Sequence, residues 1–316
     1  MNSYTKLLSI ISLCILSVIA CNSTLKEKSE PSSDGDDFVH AYHPEKEFND
    51  YWYQGKAELS HYKLKQARYG ELRDGDAVLI FVTEDESPET HVKAGDQSDK
   101  NIPILKNNFQ RSFVTGIYPY SLLTTTSTPV NVEQNPHSMR VSFSGQEWCG
   151  MVFNMLDYKN GNWNYSQHSY FPNEGDMTSS LDGVFSEDEI WNLIRIDYKS
   201  LPQGEIEILP SLMHLRLHHE EMKVYHAIAS LIADEAGVLN YELNYSDLDR
   251  KLIISFEENF PLRILSWTET YKDGFGNNAQ ELTTEAKLDT TIMLDYWSRN
   301  SNADSVWRKV LMGEKD

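Results

Sequence analysis

Apolar and polar residues alternate with a period of two through most of the second half of the chain. The pattern is clearest at positions 239–245 and 252–256, where Leu, Tyr, Ile and Phe occupy every second position. A period of two is typical of a half-buried β-strand. Strands are therefore predicted at residues 205–209, 212–217, 224–232, 238–245, 250–256, 261–271 and 282–296. Segments about ten residues apart with turns between them indicate an antiparallel meander that curls into a half-barrel or barrel.

The first half of the chain also carries strand patterns, joined by turn residues. Strands are predicted at residues 51–69, 77–82, 122–128 and 139–144, the first two forming a hairpin. Asn160-Gly161 is a strong two-residue hairpin turn. Residues 104–113 space their apolar side chains close to a helical period and predict a helix, whereas 87–103 predicts a polar surface loop.

One helix has a clear start signal. Ser186 and Glu189 occupy the two positions of a capping box, which satisfies backbone N–H groups at a helix N-terminus. Ile190, Leu193 and Ile194 follow as its buried stripe, and the helix is predicted to connect two β-rich halves. The predicted fold class is therefore mainly β, a β-rich α+β protein whose curved sheet carries a few short helices.

The first residues have the layout of a secretory signal peptide. Lys6 precedes an apolar run that ends in Val18-Ile19-Ala20-Cys21. These four residues resemble the bacterial lipobox, in which the cysteine is diacylated through its sulfur and becomes the first mature residue. An uncleaved membrane anchor is the alternative, but the apolar core has about 14 residues and a bilayer span needs roughly 20. The chain is expected to be an exported lipoprotein.

These patterns divide the chain into five segments. In order they are a signal peptide (1–20), a flexible tether after lipidated Cys21 (21–37), a first β-rich half (38–200), an antiparallel meander half (201–298) and a C-terminal tail or short helix (299–316). The tether is rich in Ser, Lys, Glu and Asp, a composition that cannot bury a core.

Net charge limits the partners of the protein. The formal charge of −20 argues against nucleic acid, which is bound through Lys and Arg. It also argues against broad contact with anionic lipid, so the expected membrane link is the acyl anchor alone. Asn22 stands where an Asp tends to signal inner-membrane retention, which favours the outer membrane, on its periplasmic face or at the cell surface. Nothing in the sequence indicates a cofactor.

Cys149 is the one thiol expected in the mature chain, because Cys14 leaves with the signal peptide and Cys21 carries lipid. No intrachain disulfide can form. A free cysteine is most often a small buried apolar residue, and that is the expectation for Cys149. The alternative is catalytic: Glu147 as acid or base and Cys149 as nucleophile, with a histidine partner. The histidines considered for that role are His137 and His168.

The histidines of the second half are candidate metal ligands. On a helix, His214 and His218 would share a face and could bind zinc with a third ligand such as Glu220, Glu221 or His226. On the strand predicted here they lie on a polar face instead. The sequence therefore predicts no metal site, with His214 and His218 as the weak candidates.

Four basic or titratable residues lie on or near the first predicted strand: His61, Lys63, Lys65 and Arg68. In a chain that is otherwise acidic they could form a basic face for an anionic ligand. The alternative is that they are the solvated side of a sheet, where charged side chains are common.

Several runs carry a resemblance that covers most of the mature chain. They are residues 53–58, 64–71, 77–85, 115–121, 146–150 and 201–207. These runs resemble a family of uncharacterised bacterial lipoproteins whose members sometimes carry the label "septum formation inhibitor Maf". Genuine Maf proteins are cytoplasmic nucleotide pyrophosphatases with a Ser-x-Ser-Pro-Arg-Arg phosphate-binding motif, which this chain lacks. The resemblance thus implies an exported lipoprotein and no nucleotide chemistry.

A second resemblance is at the level of fold. The meander half, with Phe260-Pro261-Leu262-Arg263-Ile264, is similar to lipoprotein-carrier and related periplasmic half-barrels, which hold acyl chains. It implies a hydrophobic ligand, although a shared fold is weak support for a shared function.

These observations support two classes of function and a third, weaker alternative. The favoured one is a non-enzymatic envelope lipoprotein that binds an apolar ligand or a partner protein in the hollow of its curved sheet. The second is an envelope hydrolase that uses Glu147 and Cys149 with a histidine. The third is a structural subunit of an envelope complex.

Overall fold

The computed structural model describes residues 45–95, 98–172 and 174–314. Their helices are α1 (Glu45–Trp52), α2 (Glu187–Asp197), α3 (Leu212–His218) and α4 (Ser305–Leu311). Their strands are β1 (Ala57–Arg68), β2 (Glu71–Glu86), β3 (Ile102–Thr115), β4 (Tyr118–Pro129), β5 (Arg140–Glu147), β6 (Gly150–Lys159), β7 (Asn162–Ser169), β8 (Met177–Asp182), β9 (Phe185–Ser186), β10 (Gly204–Leu209), β11 (Tyr225–Ala233), β12 (Val238–Tyr245), β13 (Arg250–Glu257), β14 (Ile264–Asp273) and β15 (Gln280–Leu294).

All of these strands belong to one open sheet. Its order is β8-β7-β6-β5-β4-β3-β2-β1-β15-β14-β13-β12-β11-β10-β9. Strands β1 and β15 pair at the centre, so the two predicted halves are joined there, and β8 and β9 lie at the two edges. Neighbouring strands are antiparallel except β9 and β10. The predicted mainly β class and antiparallel meander are confirmed.

Helix α2 lies inside the curve of the sheet. Every one of its residues is buried, and its start has the predicted capping box between Ser186 and Glu189. The Asn192 amide donates to backbone carbonyls of β3 and β4. Arg195 pairs with Glu58 of β1. The helix therefore contacts several strands at once, and the sheet curves around it.

One hydrophobic core spans both predicted halves. Trp191 of α2 packs against Phe109 of β3 and Trp267 of β14, with ring centroids 4.9 and 5.2 Å apart. Both Trp267 and the α2 residue Ile190 are fully buried. The apolar side chains on the concave face of the sheet thus pack against a helix of the same chain. Burial of this kind is the main stabilising term of a fold.

Two predicted elements are wrong. Residues 104–113 form part of β3, which pairs with β2 and β4 along its length. Asn107 and Arg111 point into the core with their apolar neighbours, and these buried polar residues hid the alternation. Residues 212–217 belong to helix α3 and not to a strand. Its N-terminus is fixed by Asp188, which accepts hydrogen bonds from Ser211 Oγ (2.8 Å) and Leu212 N (3.0 Å).

The ends of the domain differ from the sequence prediction in smaller ways. Residues 45–52, partly assigned to a first strand, form helix α1, and β1 begins at Ala57. The short helix that was one alternative for residues 299–316 is present as α4. The predicted signal peptide, the lipidated Cys21 and the tether 21–37 lie outside the described residues. Within the described part of the chain, no helix is both long and apolar enough to span a membrane.

Candidate functional site

Exposed apolar side chains and a polar cleft lie together at one end of the sheet. We call it the loop end: the turns that follow β1, β3, β5, β7, β12 and β14, together with α3 and residues 219–224 after it. Strand β1 runs from the opposite end towards the loop end, a distance of about 40 Å at ~3.3 Å per residue. The described chain therefore begins with α1 at the opposite end.

The loop end carries the most exposed large hydrophobic side chains among the described residues. They are Ile117 (81% exposed), Tyr170 (75%), Phe275 (71%) and Trp148 (69%). Each lies in, or beside, the turn that joins two neighbouring strands. Turn positions normally carry Gly, Asn, Asp, Ser or Pro. We call these four residues together with the half-buried Tyr69 the apolar rim.

Members of the apolar rim follow one another along the sheet. The Tyr69 and Phe275 rings lie 5.8 Å apart, and Trp148 lies 6.4 Å from Tyr118. Tyr170 covers Gly150, where an added Cβ would come within 2.6 Å of its ring. Hairpin turns two strands apart are separated by roughly 10 Å. The rim is thus a row of apolar side chains along the loop end.

A polar cleft opens beside the rim, between strands β6 to β8 and helix α3. Its volume is about 320 Å³. The lining residues are Val152, Asn154, Tyr165, Gln167, Glu174, Met177, Leu215, Arg216, His219, Glu220, Glu221 and Met222. It has the size of small-ligand pockets, but it has more polar groups in its lining than such pockets usually have.

Two buried side chains in the cleft have unsatisfied polar atoms. Asn154 is 3% exposed and its Oδ1 has no hydrogen-bond partner. Arg216 is 6% exposed and its Nε has none either. Glu147 lies 3.6 Å from the Arg216 guanidinium, which also lies 3.9 Å above the Phe171 ring. Burial lowers the pKa of Arg216. Buried polar groups are normally paired, but the core also contains unpaired atoms, among them Asn192 Oδ1 and Arg250 Nε.

Arg68 adds a second buried cation at the loop end. Its guanidinium donates to the Leu217 carbonyl and to the hydroxyls of Tyr69 (3.2 Å) and Tyr120 (3.3 Å). Within the described residues no carboxylate lies within 4.0 Å of it. Carbonyl and hydroxyl oxygens bear only partial charge, so the cation is solvated but not neutralised.

Acidic side chains surround these cations at the surface. Asp176, Glu220 and Glu221 are exposed, and the carboxylate of Glu174 pairs with His219. Carboxylates are therefore exposed beside the polar cleft, in a chain whose net charge is −20.

The catalytic candidates do not come together. Cys149 is exposed in the β5–β6 turn, so its expected burial is wrong. Glu147 accepts a hydrogen bond from the Cys149 backbone and raises the pKa of its thiol, whereas a nucleophile needs a lowered pKa. His168 is exposed and pairs with Asp176. His137 lies at the opposite end of β5, about 25 Å away at ~3.3 Å per residue.

His214 and His218 share a face of helix α3, with their rings stacked 4.3 Å apart. Tyr271 packs against the His218 ring at 4.5 Å. Burial lowers the pKa of His214 strongly and that of His218 to about 3, so both rings are neutral. No group of three His, Cys, Asp or Glu side chains in the described ranges is arranged to hold a metal ion. These histidines are packing residues above a charged core.

The charged core lies below α3. The Arg250 guanidinium bonds Glu187 (2.7 Å) and Glu269 (3.1 Å), and Arg111 bonds the other oxygen of Glu269 (2.6 Å). Burial opposes ionisation of Glu269, but the two arginines lower its pKa to about 2. A cavity of about 10 Å³ lies against His214, enough for about one water molecule.

The four basic residues of the first strand do not form one face. His61 is fully buried and bonds Asp76 (2.8 Å) and Asp289 (3.1 Å). Lys63 and Lys65 are exposed on the outer side of the sheet, as in the solvated-face alternative. Arg68 points the other way, into the loop end. Alternation along the strand therefore places Arg68 on the opposite face from His61, Lys63 and Lys65.

Known family models, curated proteins and solved structures give no match to this chain. The features of the chain itself therefore describe it: an open, curved antiparallel sheet around a buried helix, with exposed apolar side chains and a polar cleft at one end. The sequence analysis did not predict this end of the sheet as a site, although the turn sequences indicate it. The turns Tyr69-Gly70, Gly116-Ile117 and Phe275-Gly276 each place a large apolar residue beside the glycine that makes the turn.

Proposed function

We propose that this protein is a non-enzymatic lipoprotein of the cell envelope that binds a partner protein through its loop end. Its anchor is the diacylated Cys21, and the outer membrane is the favoured location. The observation that carries the proposal is the apolar rim. Exposed apolar side chains grouped on one face mark interaction sites, and aromatic residues are enriched at the centres of such sites.

Charge and chain direction favour a protein over a lipid surface as the occupant. Glu174, Glu220 and Glu221 line the polar cleft beside the rim, and anionic lipid would be repelled by them. The described chain also begins at the end away from the rim. An anchor that precedes α1 thus joins the domain far from the rim, which is then free to meet a partner. A partner with an apolar patch flanked by Lys or Arg fits this surface.

The concave face offers less to an apolar ligand. Its Leu, Ile and Trp side chains pack against α2. The polar cleft mixes amide and charged groups with apolar side chains such as Met177, Leu215 and Met222, so it is not the uniformly apolar pocket that an acyl chain needs. Binding of a protein is therefore the form of the favoured function that the geometry supports best. The hydrolase alternative gains no support from Glu147, Cys149 and His168, which form no catalytic arrangement.

A pair of matched double variants tests the proposal. Trp148→Ser with Tyr170→Ser removes two aromatic rings from the rim, and Trp297→Ser with Tyr53→Ser removes the same residue types from the opposite end. We expect full-length lipidated protein, extracted from membranes in mild detergent, to migrate on native gels in a complex heavier than the chain. The rim variant should lower the fraction in that complex about tenfold, since loss of two anchors costs more than ~1.4 kcal/mol.

Three outcomes would contradict the proposal. The wild-type protein could migrate only at its own mass, or the two double variants could behave alike. The heavier species could also contain only this chain, which would make the rim a self-association surface. The anchor has its own test: Cys21→Ser should release the protein from the membrane fraction, and retention would refute lipidation at that residue.

A further inference from the structure

The two edges of the sheet differ in how they are protected. At one edge, β10 carries Glu205 and Glu207, follows Pro202, and is partly covered by β9. Charges, prolines and short covering strands are the usual devices that keep an edge from pairing with another chain. At the other edge, β8 has the uncharged run Met177-Thr-Ser-Ser-Leu181 with no proline, and most of it is exposed. No described residue covers β8, and its protective charges are confined to the two ends of the run, at Asp176 and Asp182.

The register shows which backbone groups of β8 are free. The two-residue turn at Asn160-Gly161 closes on the pair Lys159–Asn162, so Asn162 directs its N–H and C=O towards β6. Alternate residues of β7 then face β8, namely Trp163, Tyr165 and Gln167, whose partners are Leu181, Ser179 and Met177. Thr178 and Ser180 therefore direct their N–H and C=O groups away from the sheet.

We propose that β8 receives an extended segment of the partner protein as an additional strand. This rests on the proposed function, because β8 begins directly after the loop that carries Tyr170 of the apolar rim. Strand addition provides affinity through main-chain hydrogen bonds, and pockets beside the edge select the side chains of the added strand. The edge residue Met177 lines the polar cleft, as does its partner Gln167.

The polar cleft supplies the pocket for one such side chain. Its wall contains the unsatisfied Asn154 Oδ1 and three acidic residues, Glu174, Glu220 and Glu221, which outnumber the one arginine of the cleft, Arg216, itself 3.6 Å from Glu147. A side chain that donates hydrogen bonds and carries positive charge, Lys or Arg, complements these groups. The added segment is therefore a strand with a Lys or Arg at the position that faces the cleft.

A second copy of this chain is disfavoured as the source of the strand. Pairing β8 with β8 would bring Asp176 and Asp182 of two copies together, in a chain whose net charge is −20. The predicted tether 21–37 is also acidic at residues 34–37. A basic segment of another protein would not be repelled by the acids that flank β8.

Ser180→Pro and Ser180→Thr form the matched test. Proline removes the outward N–H of residue 180 but leaves the inward bonds to β7, a position that edge strands tolerate. Threonine keeps the N–H and favours a strand. In the native-gel assay of full-length lipidated protein, Ser180→Pro should lower the complexed fraction about tenfold, and Ser180→Thr should keep it at the wild-type level. Equal thermal melting of the two variants would show that both are folded.

Hydrogen exchange supplies a readout that needs no variant. The amides of Thr178 and Ser180 should exchange quickly in the isolated chain and slowly in the isolated complex. Equal exchange of these amides in both states would overturn strand addition but leave binding through the rim intact. So would a Ser180→Pro variant that forms as much complex as the wild type. Absence of any complex in the wild type would instead refute the proposed function. A complex that contains only two copies of this chain would overturn the addition of a strand from another protein. Protection of β8 that is lost when residues 22–37 are deleted would overturn it too, because the added strand would then be the chain's own tether.

Discussion

Buried arginines of the core and buried arginines of the loop end differ in their hydrogen-bond partners. In the core, Arg250 and Arg195 each bond a carboxylate with two nitrogens, Glu187 and Glu58 respectively. At the loop end, Arg68 has only hydroxyl and carbonyl partners, and Arg216 has Glu147 at 3.6 Å. The charges of these core arginines are therefore neutralised within the chain, although Arg250 Nε, like Arg216 Nε, has no hydrogen-bond partner. Among the described residues, neither loop-end arginine is bonded to a carboxylate through two nitrogens, so their charges are less fully neutralised within the chain.

Arg250→Met should give the largest loss of stability. Removing Arg250 leaves Glu187 and Glu269 buried beside a single remaining cation, Arg111. Breaking a buried ion pair from one side costs about 3–5 kcal/mol. Urea denaturation at pH 7 measures this loss. A cost near zero would mean that the charged core is solvated in solution.

His218→Phe should flatten the dependence of stability on pH. Burial lowers the folded-state pKa of His218 to about 3, so the unfolded chain takes up a proton below pH 6.5 that the folded chain does not. Stability from this group is present above pH 6.5 and is lost as the pH falls. Between pH 7 and pH 5 the loss is about 2 kcal/mol.

The control for this prediction is His168→Gln, which changes an exposed histidine. Urea unfolding at pH 7 and pH 5 should show the wild-type difference in His168→Gln and a smaller difference in His218→Phe. An unchanged difference in His218→Phe would show that the ring is protonated in the folded state.

Arg68→Met is the counterpart of Arg250→Met at the loop end. No carboxylate is left unpaired, and the main loss is a hydrogen bond to the Leu217 carbonyl. We expect a cost of about 1 kcal/mol in the same urea assay. If Arg68→Met destabilised the protein as much as Arg250→Met, the distinction between the two groups of arginines would fail.

Trp148→Ser should have the smallest effect on stability. The side chain is 69% exposed, and surface changes away from packed features stay within about 0.5 kcal/mol. Its thermal melting should match that of Trp297→Ser at the opposite end. A clear destabilisation by Trp148→Ser would show that the rim is part of the fold and not a free surface.

The sequence predicted the fold better than the site for a physical reason. Alternation at residues 239–245 and the capping box at Ser186 are local signals, and the structure has both. Helix α3 was not predicted although Ser211 caps it locally; the second contact that fixes its N-terminus comes from Asp188, which is distant in sequence. Strand β3 was missed because Arg111 is buried against Glu269, a partner more than a hundred residues away.

The candidate site depends on where separate turns meet. Tyr69, Trp148 and Phe275 are unremarkable singly, and only the sheet order brings them to one end. Glu147 and Cys149 were predicted as catalytic candidates because they lie two residues apart in sequence. Proximity in sequence does not supply a base oriented towards the thiol. The free edge of β8 likewise becomes visible only when the whole strand order is known.

Photo-crosslinking in the intact envelope tests the central claim most directly. A photoreactive phenylalanine analogue would replace Trp148 at the loop end in one sample and Trp297 at the opposite end in another. We expect a discrete adduct with another protein at position 148 and none at position 297. Equal adducts at both positions, or an adduct at position 297 alone, would contradict binding through the loop end.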